Sequence, residues 1–332
     1  MITNLRNWRW KRPAESSNPE PVAPPSVAAG TLPPESQLKQ WQKLAFAPDE
    51  RTISGLSGEH RSKRRGPSPE FADYKPYSPG DDFRRIDWNT YARLDQLTIR
   101  ESETTTERDI YLFVDLSPSM NWSSDPGTLP TKLDHAARIA AMLGYTGIWH
   151  FDRCAIHGFG GGQMQFGPVQ GRSNALRLFA FCHSLQAGTS SNDDVDAIVR
   201  TIRARKRPGR LVLLSDFLWA SPALLRAVLR EAAGRRWHST VVMIEDPAER
   251  EPERLFAESA NLDLVDLESN ASMYVGSDTH SLAAYARARS AWIGDLRSQC
   301  DVPGITWVQS VSTDTDHSLL IAELIDRQVL QR

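Results

Sequence analysis

Apolar residues along this chain fall into two kinds of run. From residue 109 onward, short continuous stretches (110–114, 210–214, 240–244 and 305–309) alternate with longer ones (132–149, 173–185, 193–204, 224–233, 282–298 and 319–329) in which apolar residues recur every three or four positions. Short unbroken runs mark strands covered on both faces, and the longer period is that of helices with one face turned inward. The alternation predicts strands joined by crossover helices, hence an α/β domain with a mostly parallel sheet and helices on both faces. The runs at 262–267 and 273–275 are read as further strands of the same series. Residues 154–159 and 163–166, separated by Gly160-Gly-Gly162, predict a hairpin. The glycine run lacks the Gly-Lys-Ser/Thr ending of a phosphate loop and is read as a turn. Thr131 is placed to cap the helix that starts after it.

Before residue 36 the pattern breaks. Residues 13–35 hold seven prolines among Ala, Ser and Glu, a mixture that cannot bury enough surface to fold alone. Three regions follow: a disordered tail rich in Trp, Arg and Pro (1–35), an N-terminal docking segment (36–108) opening with a helical pattern at 35–46, and the α/β domain (109–332). Ahead of the prolines, Arg6 to Arg12 alternates cations with Trp8 and Trp10, a pattern suited to peripheral contact with an anionic membrane surface or a partner.

Composition narrows the picture. The 39 basic residues nearly balance 41 acidic ones, which argues against a dedicated nucleic-acid binder. The local cluster Arg61, Lys63, Arg64 and Arg65 reads as a solvated run. Cys154, Cys182 and Cys300 are odd in number and unpaired in spacing, so neither a disulfide framework nor a zinc site is expected. With no apolar run near the ~18 residues of a membrane span and no secretory h-region, a cytoplasmic location and no transmembrane segment are expected.

The candidate chemistry lies at strand ends. Asp115, Ser117 and Ser119 follow the strand at 110–114, and Asp216 follows that at 210–214. Asp and Ser there serve equally as turn and cap residues. In an open α/β sheet, however, ligands bind beyond the carboxyl ends of the strands. If the two strands are neighbours, Asp115, Asp216 and the hydroxyls of Ser117, Ser119 and Thr189 meet at one point. Such a set, all oxygen, selects Mg2+, Mn2+ or Ca2+ over zinc or copper.

Asp115-x-Ser-x-Ser119, the Gly188-Thr189 loop and the strand end Leu213-Leu-Ser-Asp216 resemble the metal-ion-dependent adhesion site of von Willebrand factor type A domains. That resemblance implies a von Willebrand factor A-like (Rossmann-like) fold. It also implies a Mg2+ held by Asp115, Ser117, Ser119, Thr189 and Asp216, with an open position for a carboxylate of a partner protein. Ser190, Ser191, Asp193 and Asp194 lie close to Thr189, and the family's Thr-Asp-Gly is Ser215-Asp216-Phe217 here. Upstream, Glu70-Phe-x-Asp-Tyr74 and the stretch from Tyr77 to Trp88, then Ala92-Arg93, are similar to the signature of the bacterial domain-of-unknown-function family fifty-eight (DUF58). This second resemblance implies partnership with a MoxR-type AAA+ ATPase. Tyr77, Gly80, Asp81, Arg84, Asp87, Trp88 and Arg93 are the signature positions, serving partner recognition or docking of the segment.

The expected function is a non-catalytic, metal-dependent protein-binding module. A metal-dependent phosphoester hydrolase of the haloacid-dehalogenase kind is the alternative. It would want a second Asp two residues after Asp115, where Ser117 stands. Nucleic-acid binding through residues 60–65 is a second alternative.

Overall fold

The computed structural model describes residues 8–11, 32–48, 71–78, 86–94, 96–102, 108–162, 164–188, 195–205, 207–218, 222–256, 261–267 and 272–332. In chain order its strands are β1 (Trp8–Lys11), β2 (Ala45–Phe46), β3 (Phe71–Pro76), β4 (Thr98–Ser102), β5 (Asp109–Asp115), β6 (Arg153–Phe159), β7 (Gln165–Val169), β8 (Arg210–Ser215), β9 (His238–Glu245), β10 (Asn261–Asp266), β11 (Ser272–Gly276), β12 (Ile305–Val311) and β13 (Leu330–Gln331). Six of them form the main sheet in the order β12-β9-β8-β5-β6-β7. All its neighbours run parallel except β7, which returns antiparallel to β6 as the expected hairpin.

Each strand of the parallel part is covered on both faces, as its unbroken apolar run requires. Along β5, Ile110, Leu112 and Val114 turn to one face, into a core with Ile139, Ala140 and Leu143 of the helix Lys132–Trp149. Tyr111 and Phe113 turn to the other. There they meet Ile198 and Ile202 of Val195–Ala204, Leu225 and Leu229 of Pro222–Gly234, and Leu296 of Thr279–Gln299. The protein is thus a mixed α/β structure with a mostly parallel central sheet between helical layers.

One expectation needs correction. Strands β10 and β11 do not extend the main sheet. They pair antiparallel with each other and, through β10, with β1. Their sequence carries the reason: Leu262-Asp-Leu alternates apolar with polar, the period of a half-exposed antiparallel strand, with Leu262 and Leu264 buried. Within the stretch 1–35, residues Trp8–Lys11 form β1, whose two-residue alternation suits an edge strand. The chain forms two compact units, one of residues 1–47 and 108–332 and a smaller one of residues 48–107. The helical pattern at 35–46 ends at Trp41, because β2 must pair with β13. Trp41, Leu44 and Phe46 join the core beside Tyr145 and Ile148, and Arg108 donates to the carbonyls of Phe46 and Ala47 at 2.6 and 2.7 Å.

Within the smaller unit, β3 and β4 pair antiparallel. Tyr77 N–H donates to Leu97 O, and Asp87 Oδ1 accepts from Thr90 N–H at the start of the helix Trp88–Leu94. Among the described residues no helix is long and apolar enough to cross a membrane.

Candidate functional site at the strand ends

Strands β5 and β8 are adjacent and parallel, so Asp115 and Ser215-Asp216 leave the same edge of the sheet side by side. After Asp115 the chain turns into a short 3-10 helix (Pro118–Asn121), which carries Ser117 as its cap position and Ser119 inside it. The two serines thereby fold back over the strand end. Ser119 Oγ donates to Asp216 Oδ2 at 2.8 Å, and Ser117 Oγ lies 3.0 Å from Ser119 Oγ. Because the single Ser119 proton goes to the carboxylate, Ser117 is the donor in the second bond. The four expected residues Asp115, Ser117, Ser119 and Asp216 are therefore brought into one buried cluster.

Asp115 is wholly enclosed. It accepts from Ser117 N–H at 2.8 Å and from Ser215 Oγ–H at 2.5 Å, both neutral donors. Burial, reinforced by the nearby charge of Asp216, pushes its carboxyl up to about 7. A buried carboxylate so placed favours a counter-charge. Asp216 has a different neighbour, which the sequence reading missed. Lys132, the first residue of the helix Lys132–Trp149, is fully buried and places Nζ 2.5 Å from Asp216 Oδ2 and 3.0 Å from Glu249 Oε1. The Thr131 capping box with Asp134 fixes this helix start, and helical side chains tilt toward the N-terminus, which sends Lys132 to the strand ends. A cation in the first helical turn opposes the helix dipole. That anomaly was a legible signal.

Glycines form the wall on the β6 side. Gly160, at φ +82°, and Gly161 follow β6, and a β-carbon at Gly161 would lie 1.8 Å from Leu116 O and 2.6 Å from Gly188 N. Gly188 N–H in turn donates to Leu116 O at 2.8 Å. The run read as a plain turn is thus what lets the loops after β5, β6 and the helix Ala175–His183 close on one another. On the opposite side, Asp246 caps the short helix Pro247–Arg250 and accepts from Ser124 N–H, drawing Glu249 toward Lys132.

Phe217 stands where the resembled motif has glycine, and it keeps a glycine-like backbone, with φ +57°. Its ring is fully buried 6.0 Å from that of Trp307, and its N–H donates to Ser215 Oγ.

The donor set of two carboxylates and two hydroxyls fits a hard divalent cation in kind. Among the described residues no group of three His, Cys, Asp or Glu side chains that could hold a metal ion is present. Thr189, Gly80, Asp81 and Arg84 lie outside the described residues. Of the remaining signature positions, Tyr77 and Asp87 are held by the bonds given above. Trp88 is 62% exposed with its ring edge against Tyr91, and Arg93 is exposed in the last turn of its helix.

The chain is 27% identical over 313 residues to an uncharacterized protein of Mycobacterium bovis and to uncharacterized proteins from two strains of Mycobacterium tuberculosis, covering 91% of this chain and 93% of theirs. Among solved structures it is similar to the crystal structure of the Deinococcus radiodurans RO (RSR) protein, with a TM-score of 0.27 and 16% identity over 46% of this chain and 35% of that one. The family described as "Protein of unknown function DUF58" matches residues 73–291, about two thirds of the sequence. On that match, the chain belongs to the DUF58 family.

Proposed function

We propose that this protein is a non-catalytic protein-binding module whose strand-end site holds a divalent cation, Mg2+ or Mn2+ in the first instance. The convergence of Asp115, Ser117, Ser119 and Asp216 beyond two neighbouring strands carries this reading. Asp115 and the hydroxyls of Ser117 and Ser119 would hold the ion, with Asp216 fixing Ser119. The ion would supply a Lewis-acidic centre able to take a carboxylate from a partner. Two site carboxylates leave such an ion receptive to an anionic ligand. Catalysis forms no part of the proposal, since Ser117 stands where a phosphatase of the kind considered above would keep its general acid.

The resemblance to von Willebrand factor type A domains supports the cation site, and the family resemblance supports a MoxR-type AAA+ ATPase as the partner, in the cytoplasm. Titration calorimetry with Mg2+ and Mn2+ tests the site: wild type binds one ion and Asp115→Ala does not. Pull-down of a MoxR-type ATPase with and without chelator tests the partner. Complex formation unchanged by chelator and by Ser117→Ala would remove the strand-end face from consideration. Strong salt dependence abolished by neutralising Arg61, Lys63, Arg64 and Arg65 would instead support nucleic-acid binding.

A further inference from the structure

Lys132 adds something that neither the motif nor the family resemblance contains. Its ammonium is fully buried, and it shares Asp216 Oδ2 with the hydroxyl of Ser119, itself joined to Ser117. The positive charge is thereby built into the margin of the same oxygen cluster that would receive a divalent cation. It is held there from two sides, by Asp216 on the loop after β8 and by Glu249 on the helix Pro247–Arg250. That helix is pinned in turn: Tyr285 Oη–H donates to the Glu249 carbonyl at 2.9 Å, and Asp246 N–H donates to the other Glu249 oxygen at 2.9 Å. The lysine thus has little room to withdraw. An ammonium buried beside this cluster would repel a divalent ion held there, because charges in the interior are poorly screened.

We propose that Lys132 is a tethered competitor of the divalent cation: it neutralises Asp216 from within the chain and thereby sets the affinity of the strand-end site for metal low. The inference rests on the cation reading given under Proposed function and names the residue that regulates that site. Without a metal, the carboxylates of Asp216 and Glu249 share one ammonium while Asp115 accepts only from neutral donors, so the strand-end cluster still has room for a cation. With the ammonium present, that ion is bound weakly enough to be exchanged. A partner carboxylate reaching the ion would then contribute a decisive part of its retention.

The experiment compares Mn2+ and Mg2+ binding by the full-length wild type and Lys132→Met, a neutral side chain of similar length, using calorimetry and the rise in melting temperature on adding the ion. Lys132→Met should bind Mn2+ at least tenfold more tightly, about 1.4 kcal/mol, and should gain more thermal stability from it. Equal or weaker binding by the variant, with wild-type binding intact, would overturn the role of Lys132 while leaving the cation site standing. If neither protein binds although both melt cooperatively, the cation reading fails and this inference with it. Should Lys132→Met not fold, the side-chain ammonium resonance of Lys132 in the wild type decides: it should shift on titration with Mg2+, and an unmoved signal at saturating ion overturns the proposal.

Discussion

Gly160 stands directly behind Asp115: a β-carbon there would lie 2.9 Å from Asp115 Oδ1, on a backbone already in the left-handed region. The residue that looks least chemical therefore sets how far the carboxylate can move. Gly160→Ala should cost about 1–3 kcal/mol of stability, combining the positive-φ penalty with the close contact, and should weaken cation binding. Urea unfolding and calorimetry on the same preparation check both. A neutral outcome in each would mean that the wall has slack.

Asp115→Asn should leave the cation-free protein as stable as the wild type or more so. At neutral pH burial and the charge of Asp216 disfavour ionisation of the wild-type carboxyl, a cost on the order of a few kcal/mol. The melting-temperature rise produced by Mg2+ should vanish in the variant. Loss of fold instead of loss of metal response would show that Asp115 is a structural cap.

The paired histidines predict an acid-labile face. His135 and His317 are buried with ring centroids 5.2 Å apart, and His135 Nε2 is 2.8 Å from Ser310 Oγ. Burial holds His135 down to about 3 and His317 to about 4, with Arg138 adding to both. Each folded-state value lies below the unfolded one, so the contribution is complete above about pH 6.5 and is lost as pH falls toward the folded value. Between pH 7 and 5 each histidine should cost roughly 2 kcal/mol. Asp115 and Asp152, whose carboxyls burial raises, titrate with the opposite sign. The readout is therefore the difference between wild type and His135→Gln in urea unfolding at the two pH values. Parallel curves would refute the assignment.

How much of this was legible before the structure differs residue by residue. Asp115, Ser117, Ser119 and Asp216 were readable because strand ends and the loops that follow them are local in sequence, and only the adjacency of β5 and β8 had to be supplied. Lys132 and Glu249 were not, since their meeting depends on which way two helix starts face after the chain has crossed the sheet. The Lys132 clue, a cation in a first helical turn, is visible only to a reader asking what offsets the dipole. Strands β10 and β11 were misplaced although their period differs from that of β8 and β9. Alternating and unbroken apolar runs select different sheets. Nothing in the sequence says that Gly160 and Gly161 form a wall as well as a turn, because the atoms they make room for are contributed by Asp115, Leu116 and Gly188.

Phe217 gives the site a rear mounting. Holding a non-glycine residue at φ +57° costs about 1–3 kcal/mol, and what offsets this is the burial of its ring with Trp307, which belongs to the edge strand β12. The loop residue that follows Asp216 is thus packed against a strand two positions away in the sheet. Trp307→Leu touches none of the site oxygens, yet by loosening that packing it should let Asp216 move and alter cation affinity along with stability. The outer strand and the strand-end oxygens then behave as one mechanical unit, in which a packing defect at one edge is read as a change of ion preference at the other end of the loop.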